Sequence, residues 1–304
     1  MKIGIVGGGS VGLLFASYLL KDGHEVVVYV RRKEQQRLLE KNGLDLHTPN
    51  GTFTTYPVVQ VLEDAAPSQH DLLILAVKSY QIDNLISVIH QKFEKAKTIL
   101  FIQNGMYHLR RLDEFTRHSI FLGVVEHGTM KESDHAIHHT GIGRTKIAPY
   151  IDGHTGGVDW NRLSTPDFEF IKNDDWYDML SRKLHINSVI NPLTAILGVR
   201  NGQLLENGHW CDLMKRLSRE SCRVLKIPEQ EGWKDLLAVC KNTSINKSSM
   251  LRDLEMKRRT ELEAINGFLL EMAEQQQMSI PNHFFVYQLV KGMEGEMERG
   301  EWDG

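Results

Sequence analysis

A glycine-rich turn near the start of the chain constrains the fold more than any other feature. The segment GGGSVG fits the pattern G-x-G-x-x-G, follows the apolar run Ile3–Val6 and opens a helical stretch. In this strand–turn–helix context the first glycine allows a tight turn, the second admits a pyrophosphate and the third allows close packing of helix on strand. The pattern therefore predicts a dinucleotide site formed by Gly7, Gly8, Gly9, Ser10, Val11 and Gly12.

The end of the second predicted strand indicates which dinucleotide is bound. A site that prefers NAD usually places Asp or Glu about 20 residues beyond the glycines, whereas this strand ends in Arg31 and Arg32. Guanidinium groups suit a 2′-phosphate because they form bidentate, charge-assisted hydrogen bonds. We therefore predict NADP, held by Arg31 or by Arg32. A solvated, basic start to the next helix is the competing interpretation.

Composition and charge narrow the class of protein. The 304 residues include 36 basic and 39 acidic side chains, a net charge of −3 that predicts no nucleic-acid partner. No apolar run approaches the roughly 20 residues that a bilayer requires. The three cysteines have no metal-type spacing and are typical of free thiols in a reducing compartment. We expect a cytoplasmic protein with a small-molecule partner, as a monomer or a homodimer.

The pattern of elements predicts an α/β fold with two domains. Residues 1–172 alternate strands and helices, which indicates a Rossmann-type, doubly wound sheet. Residues 173–304 show apolar spacing near 3.6 and predict an all-helical domain. Two hairpins are predicted at residues 44–56 and 135–148, and a helix is predicted at residues 107–115.

One helical stretch carries an unusual polar stripe. Lys183, Asn187 and Asn191 stand at i, i+4 and i+8, so they share one helix face. The residues around them are apolar, which favours a buried functional stripe over a solvated face, the alternative interpretation. Pro192 lacks an N–H, so the Ser188 carbonyl loses its helical donor and a kink is expected there.

Other polar side chains follow predicted strands, where ligands of open α/β sheets bind. Lys78 follows the strand at residues 72–77, and Asn104 follows the strand at residues 99–102. Glu261 is a further candidate, although Thr260 and Glu263 also fit a capping box in which Glu261 is only the first helical residue.

The histidines at residues 135, 138 and 139 do not predict a metal site. Adjacent residues of an extended segment face opposite sides, and no acidic partner stands at a metal-ligand spacing. We expect solvated or core-edge histidines and no bound metal.

Taken together, these motifs resemble the ketopantoate reductase family over essentially the whole chain. The resemblance is carried by Gly7–Gly12, Lys78, Gln103–Met106, Lys183–Asn187, Val189–Ala195, Asn201–Gly202, Ser248–Asp253, Thr260–Glu261 and Ile265–Phe268. It implies NADPH-dependent reduction of 2-dehydropantoate to pantoate, on the route to pantothenate and coenzyme A. It also implies that Lys183 is catalytic and that Glu261 completes the site. Substrate would contact Asn104, Asn187, Asn191 and Ser249, while Lys78 and Asn104 would lie near the cofactor.

Two other functions fit the same residues. A reductase of this fold could act on another 2-oxo or 3-hydroxy acid, and an NADP-binding sensor could lack turnover. The sensor is disfavoured because Lys183, Asn187 and Glu261 are all present.

Overall fold

The computed structural model describes residues 1–151 and 157–299. Contacts divide the chain into two units. The sheet unit consists of Met1–Gln103 and His108–Met179, and the helical unit consists of Asn104–Tyr107 and the chain from Leu180 onward. Each unit is described by itself below.

Within residues 1–151 and 157–179, the sheet unit is built on twelve strands in two sheets. The strands are β1 (Lys2–Val6), β2 (Glu25–Val30), β3 (Leu44–Thr48), β4 (Gly51–Thr55), β5 (Val58–Val61), β6 (Leu72–Leu75), β7 (Thr98–Phe101), β8 (Ser119–Val125), β9 (Gly128–Lys131), β10 (Ala136–Gly141), β11 (Arg144–Ile151) and β12 (Glu169–Lys172). The larger sheet has the order β12-β11-β8-β7-β6-β1-β2-β5, and the smaller has the order β4-β3-β10-β9.

Six neighbouring strands of the larger sheet, in the spatial order β5-β2-β1-β6-β7-β8, are all parallel. The central strands β6 and β7 are largely apolar and fully buried, as is typical of parallel strands that are covered on both faces. β11 then pairs antiparallel with β8 and parallel with β12. The predicted α/β class, a doubly wound sheet followed by a helical part, is confirmed.

Helices α1 (Ser10–Lys21) and α3 (Ile82–Lys92) connect strands of the larger sheet, whereas α2 (Lys33–Asn42) leads from β2 of the larger sheet to β3 of the smaller one. α1 buries Phe15 and Tyr18, whose rings pack on Phe168 at centroid distances of 4.8 Å. Residues 107–115, predicted as a helix, form 3₁₀ turns instead of an α-helix. The parallel register of β1 with both β2 and β6 places the glycine-rich turn at the carboxyl edge of the sheet.

The predicted hairpin at residues 44–56 is confirmed by the antiparallel pair β3 and β4. The predicted hairpin at residues 135–148 is wrong, because β10 and β11 belong to different sheets. Gly141 and Gly143 mark a crossing between the sheets rather than a turn. β10 instead pairs antiparallel with the short strand β9 and parallel with β3. β9 has only four residues, too few for a recognisable alternation.

As far as residue 299, the helical unit contains most of a long helix and six further helices. They are α4 (Trp176–Leu197), α5 (Gln203–Glu206), α6 (Gly208–Leu225), α7 (Glu229–Asn242), α8 (Ser249–Glu255), α9 (Phe268–Gln275) and α10 (Pro281–Arg299), with a π-helical turn at Glu263–Gly267. The core of this unit collects Val189, Leu217, Leu236 and Val286 around the middle of α4. Across the described part of the chain, no helix is both long enough and apolar enough to cross a bilayer.

Candidate active site

The glycine-rich turn has the geometry that its sequence predicts. Gly7 has φ +123°, a conformation that disfavours other residues, and a Cβ there would lie 2.8 Å from the Ala76 carbonyl oxygen. A Cβ on Gly12 would collide with the Gly7 carbonyl oxygen, whereas the space beside Gly9 is open. The turn therefore needs Gly7 and Gly12 for its own shape and leaves room for a ligand at Gly9.

Helix α1 begins directly after that open position. Gly9 is its N-cap and offers no side chain to the first turn, which contains Ser10, Val11 and Gly12. The first N–H groups of a helix have no acceptor within the helix, and they carry the positive end of its dipole. This edge of the sheet unit can therefore bind an anionic group such as a pyrophosphate.

Polar side chains that the sequence analysis missed surround the same turn. The Gly8 carbonyl oxygen accepts hydrogen bonds from Gln35 Nε2 at 2.7 Å and from Lys131 Nζ at 3.2 Å. Lys131 also contacts Asp134 Oδ1 at 2.8 Å. Lys131 and Asp134 lie at the β9–β10 connection, more than a hundred residues further along the chain, and no local pattern could have indicated them.

The two arginines after β2 have different surroundings. Arg32 Nη2 contacts both carboxylate oxygens of Asp134, at 2.6 and 2.7 Å. Burial alone would raise the pKa of Asp134, but the hydrogen bonds and charges of Lys131 and then Arg32 hold that pKa below its ordinary value. Arg31 is exposed, and no hydrogen bond or ion pair involves it where side chains are described. The guanidinium group of Arg32 is thus paired with a carboxylate of the protein, whereas Arg31 is exposed to solvent.

Two polar residues follow the central strands of the sheet unit. Lys78 lies just beyond β6, where its backbone N–H donates to Gln81 Oε1 at 3.3 Å. Gln103 follows β7 and donates from Nε2 to the carbonyls of Leu75 at 2.5 Å and Val77 at 3.3 Å. Gln103 therefore ties the carboxyl ends of β6 and β7 together.

The polar stripe on α4 is largely withdrawn from water. Asn187 is 8% exposed and Asn191 is 5% exposed, while Lys183 is half-buried. The solvated face that we weighed against a functional stripe is therefore wrong for the two amides. Asn191 Nδ2 is buried and lacks a hydrogen-bond partner among the described residues. A buried amide donor without a partner costs free energy, so it is typical of a group that serves a ligand.

Asn104 and Glu261 meet although they are far apart in the sequence. Asn104 Nδ2 donates to Glu261 Oε2 at 2.9 Å, and Glu261 is 7% exposed. The next residue, Gly105, has φ +75°, and a Cβ there would collide with the Ala264 carbonyl oxygen. Gly105 is therefore more than a turn residue, because it lets the Asn104 segment approach the π-helical turn beside Glu261.

The capping box that we weighed against a functional role for Glu261 forms only in part, because the Thr260 hydroxyl accepts the Leu262 N–H at 3.1 Å while the Thr260 N–H bonds to a different carboxylate. The Thr260 N–H and hydroxyl both donate to Glu294 Oε1, at 2.9 and 2.7 Å. Glu263 instead accepts hydrogen bonds from Tyr287 and Lys291. A carboxylate from α10 thus takes the place expected for Glu263, and the structure does not begin a regular α-helix at Glu261.

Two hydrogen bonds bring further segments of the helical unit to α4. Asn266 Nδ2 donates to the Ser188 carbonyl oxygen at 2.9 Å. This carbonyl lacks its usual helical donor because Pro192, four residues later, has no backbone N–H. Thr194 Oγ1 donates to Ser248 Oγ at 2.7 Å, next to the exposed Ser249 at the start of α8. The segments carrying Glu261 and Ser249 therefore both border the helix that carries the polar stripe. The sequence analysis included Asn266 only within the motif Ile265–Phe268 and did not predict its hydrogen bond to Ser188.

The histidines of the smaller sheet divide between its two sides. His139 is buried, with Nδ1 2.8 Å from the Tyr18 hydroxyl and Nε2 3.1 Å from His127 Nδ1. His138 lies on the outer side, and its Nε2 is 2.7 Å from Glu132 Oε2. The sequence shows no acidic residue at a metal-ligand spacing from these histidines, whereas the structure brings the Glu132 carboxylate to His138.

Comparisons with known proteins agree with this arrangement. The family model described as ketopantoate reductase PanE/ApbA matches residues 3–152, and that of its C-terminal domain matches residues 175–294. The 2-dehydropantoate 2-reductase of Bacillus subtilis is 39% identical over 297 residues, covering 97% of this chain and 98% of that protein. That of Listeria innocua is 37% identical over 298 residues, with the same coverage of both chains.

One solved structure supports the same family, and another shows the same fold. A probable 2-dehydropantoate 2-reductase from Bacillus subtilis superposes with a TM-score of 0.84 and 38% identity, covering 97% of this chain and 100% of that one. D-mandelate dehydrogenase bound to NADH and anilino(oxo)acetate reaches a TM-score of 0.90 at 21% identity, over 98% and 99% of the two chains, and at that identity it shows the fold alone. On the family matches and these relatives together, the chain belongs to the ketopantoate reductase family.

Proposed function

We propose that this protein reduces 2-dehydropantoate to pantoate with NADPH, a step toward pantothenate and coenzyme A. The observation that carries the proposal is the stripe on α4, where a half-buried lysine stands in line with two buried amides, one of whose donors has no hydrogen-bond partner among the described residues. Family membership and the B. subtilis relative, 39% identical over almost the whole chain, support the choice of substrate.

The residues of the sheet unit fit an NADP dinucleotide. The open space at Gly9 and the first turn of α1 suit the pyrophosphate. Arg31 suits the 2′-phosphate because it is exposed, whereas Arg32 is engaged with Asp134. Lys78 and Asn104 are assigned to the cofactor by the family resemblance. When bound, NADPH supplies the hydride that the C2 carbonyl of the substrate accepts.

The helical unit supplies the groups that act on the substrate. Lys183 in its protonated form stabilises the negative charge that develops on the carbonyl oxygen and delivers a proton to it. The Ser249 hydroxyl donates a hydrogen bond to the substrate carboxylate. Asn187 and Asn191 offer amides to the C4 hydroxyl, and the unpartnered Nδ2 of Asn191 is suited to donate to it.

Glu261 has two roles open to it, since it can orient Lys183 or accept a hydrogen bond from the substrate hydroxyl. Its hydrogen bond from Asn104 Nδ2 holds one of its carboxylate oxygens in place. The same bond fixes Asn104, whose side-chain oxygen faces the substrate in this proposal. Loss of either residue is therefore expected to disturb the other.

In this proposal residues 1–172 bind the nucleotide, and residues 173–304 carry the catalytic groups.

Cys211, Cys222 and Cys240 are free thiols, which supports a cytoplasmic location. The active form is a monomer or a homodimer, which light scattering of the purified protein distinguishes.

The test compares 2-dehydropantoate with 3,3-dimethyl-2-oxobutanoate, which lacks only the C4 hydroxyl. A site built to pair a hydroxyl leaves its own buried amide unsatisfied with the analogue, so kcat/KM should differ by orders of magnitude. Asn187→Ala should narrow that difference. Equal kcat/KM values for the wild type would favour a reductase of another 2-oxo or 3-hydroxy acid, and NADPH binding without turnover of any such acid would favour a sensor.

A further inference from the structure

The outer side of the smaller sheet carries a cluster of metal-ligating groups. His47, Glu132 and His138 each present one ligand atom, and these atoms lie within 4.8 Å of one another. Glu132 Oε2 is 2.7 Å from His138 Nε2 and 3.5 Å from His47 Nε2. The three residues play no part in the proposed reductase reaction.

The topology of the sheet explains why these residues meet. β3 and β10 are parallel neighbours, and His47 is the register partner of His138. The preceding pair, Leu46 and Ile137, is fully buried, so both histidines point to the opposite, outer side. Their rings stack with centroids 4.7 Å apart.

The carboxylate is positioned by the backbone of the β9–β10 connection. The N–H groups of Glu132 and Ser133 both donate to the Ala136 carbonyl, at 3.0 and 3.1 Å. This paired hydrogen bonding fixes the backbone at Glu132 beside His138. The site thus takes two ligands from adjacent strands and the third from a tight connection, which limits the entropy lost on binding a metal.

A further contact orients His47. Its Nδ1 lies 2.8 Å from the hydroxyl oxygen of Thr52, the register partner of His47 on β4. When Nδ1–H donates to that hydroxyl, the lone pair of Nε2 is directed toward Glu132. Metal-ligating histidines almost always have such an outer partner on the other ring nitrogen. The contact with Thr52 therefore prepares His47 to bind a metal ion through Nε2.

We propose that His47, Glu132 and His138 form a Zn²⁺ site. Two imidazoles and one carboxylate are a donor set that zinc accepts, with Zn–N and Zn–O distances of about 2.0–2.2 Å. Tetrahedral ligands at that radius stand roughly 3.4 Å apart. The 3.5 Å between His47 and Glu132 already matches this, whereas His138 Nε2 must move outward from its 2.7 Å contact with Glu132. All three side chains are partly exposed, so water can complete the coordination. Magnesium, which prefers an all-oxygen shell, is not expected to bind.

The experiment titrates Zn²⁺ alone into untagged, chelator-treated full-length protein and follows the heat of binding. Cys211 is a partly exposed thiol, so the titration uses a Cys211→Ser background in which every variant is compared. We expect one saturable site and a higher thermal unfolding midpoint with Zn²⁺, because a ligand that binds only the folded state stabilises it. Mg²⁺ should produce neither effect.

Variants assign the site to its residues. His138→Ala and Glu132→Gln should abolish the saturable heat and the thermal shift. Thr52→Val should weaken zinc affinity by about 10- to 100-fold, since outer partners typically contribute that much. His24→Ala is the matched control, because His24 also has a carboxylate nearby, with 3.3 Å between Nε2 and Asp22 Oδ2, but lies outside the cluster.

Unchanged circular dichroism and reductase activity without zinc establish that each variant is folded. Absence of a saturable site in the parent protein would overturn the proposal. Zinc binding that survives both His138→Ala and Glu132→Gln, or that is lost in His24→Ala, would also overturn it. The reductase proposal is unaffected by any of these results, since its test uses no zinc.

Discussion

The hydrogen bond from Asn266 to the Ser188 carbonyl makes a quantitative prediction about stability. Asn266 is fully buried, and its Nδ2 occupies the place of the N–H that Pro192 lacks, at 2.9 Å from the acceptor. Asn266→Ala leaves that carbonyl buried and without its side-chain donor, which costs about 1–3 kcal/mol. The lost packing and the lost contact with His283 Nδ1, at 3.3 Å, add to this penalty.

A second substitution isolates the carbonyl contribution. Pro192→Ala restores a backbone N–H that can bond to Ser188 O within α4. In that background Asn266→Ala should lose only the packing and the His283 contact. The free energy of unfolding of the double variant should therefore exceed the additive value by about 1–3 kcal/mol, the size of the avoided penalty.

The assay is urea unfolding followed by far-ultraviolet circular dichroism, which reports the helical unit most strongly. Pro228→Ala, a proline at the N-cap of α7, serves as the control partner for Asn266→Ala and should give additive effects. Coupling below about 0.5 kcal/mol between Asn266→Ala and Pro192→Ala is the range of independent sites. That result would refute the view that Asn266 replaces the missing helical donor.

Three further predictions concern catalysis, the coenzyme and pH. Lys183→Ala should lower kcat by roughly 10²–10⁴ with NADPH affinity retained, and a near-normal kcat would remove Lys183 from the general-acid role. Arg31→Ala should weaken NADPH but not NADH by about 1.5–3 kcal/mol, whereas the reverse ranking of Arg31→Ala and Arg32→Ala would assign the 2′-phosphate to Arg32. Burial lowers the pKa of His108 from 6.5 to about 4. The unfolded chain therefore binds the extra proton between these values, and stability falls by about 3 kcal/mol as pH drops through that window. His108→Leu should flatten this part of the stability–pH curve, and an unchanged slope would contradict the assignment.

The parts of the fold that depend on local pattern could be predicted from the sequence. The parallel strands are recognisable in the sequence as apolar runs. The positive φ of Gly7 and the close approach of Gly12 to the Gly7 carbonyl also arise within a few residues of the chain. The α4 stripe was predictable because helical periodicity places Lys183, Asn187 and Asn191 on one face without any tertiary information.

What could not be predicted depends on contacts between distant segments. The Thr260 N–H donates to the carboxylate of Glu294 rather than to that of Glu263, which accepts a hydrogen bond from Tyr287 instead. Both contacts depend on the position of α10, which the sequence does not reveal. The strand after Gly143 joins a different sheet, where it pairs with β8 and β12, both of which are separated from it by many residues. Asp134 reaches Arg32 only through the pairing of β10 with β3.

The four residues Asn104–Tyr107 have a consequence for recombination between relatives. They belong with the helical unit although the chain returns to the sheet unit at His108. A chimera joined near residue 179 would take Gly105 from one parent and Ala264 from the other, and any side chain at position 105 would collide with the residue 264 carbonyl. It would also separate Asn104 from the Glu261 with which it is paired. Exchange of the helical unit among family members therefore needs two further crossovers, one on each side of Asn104–Tyr107, in addition to the one near residue 179.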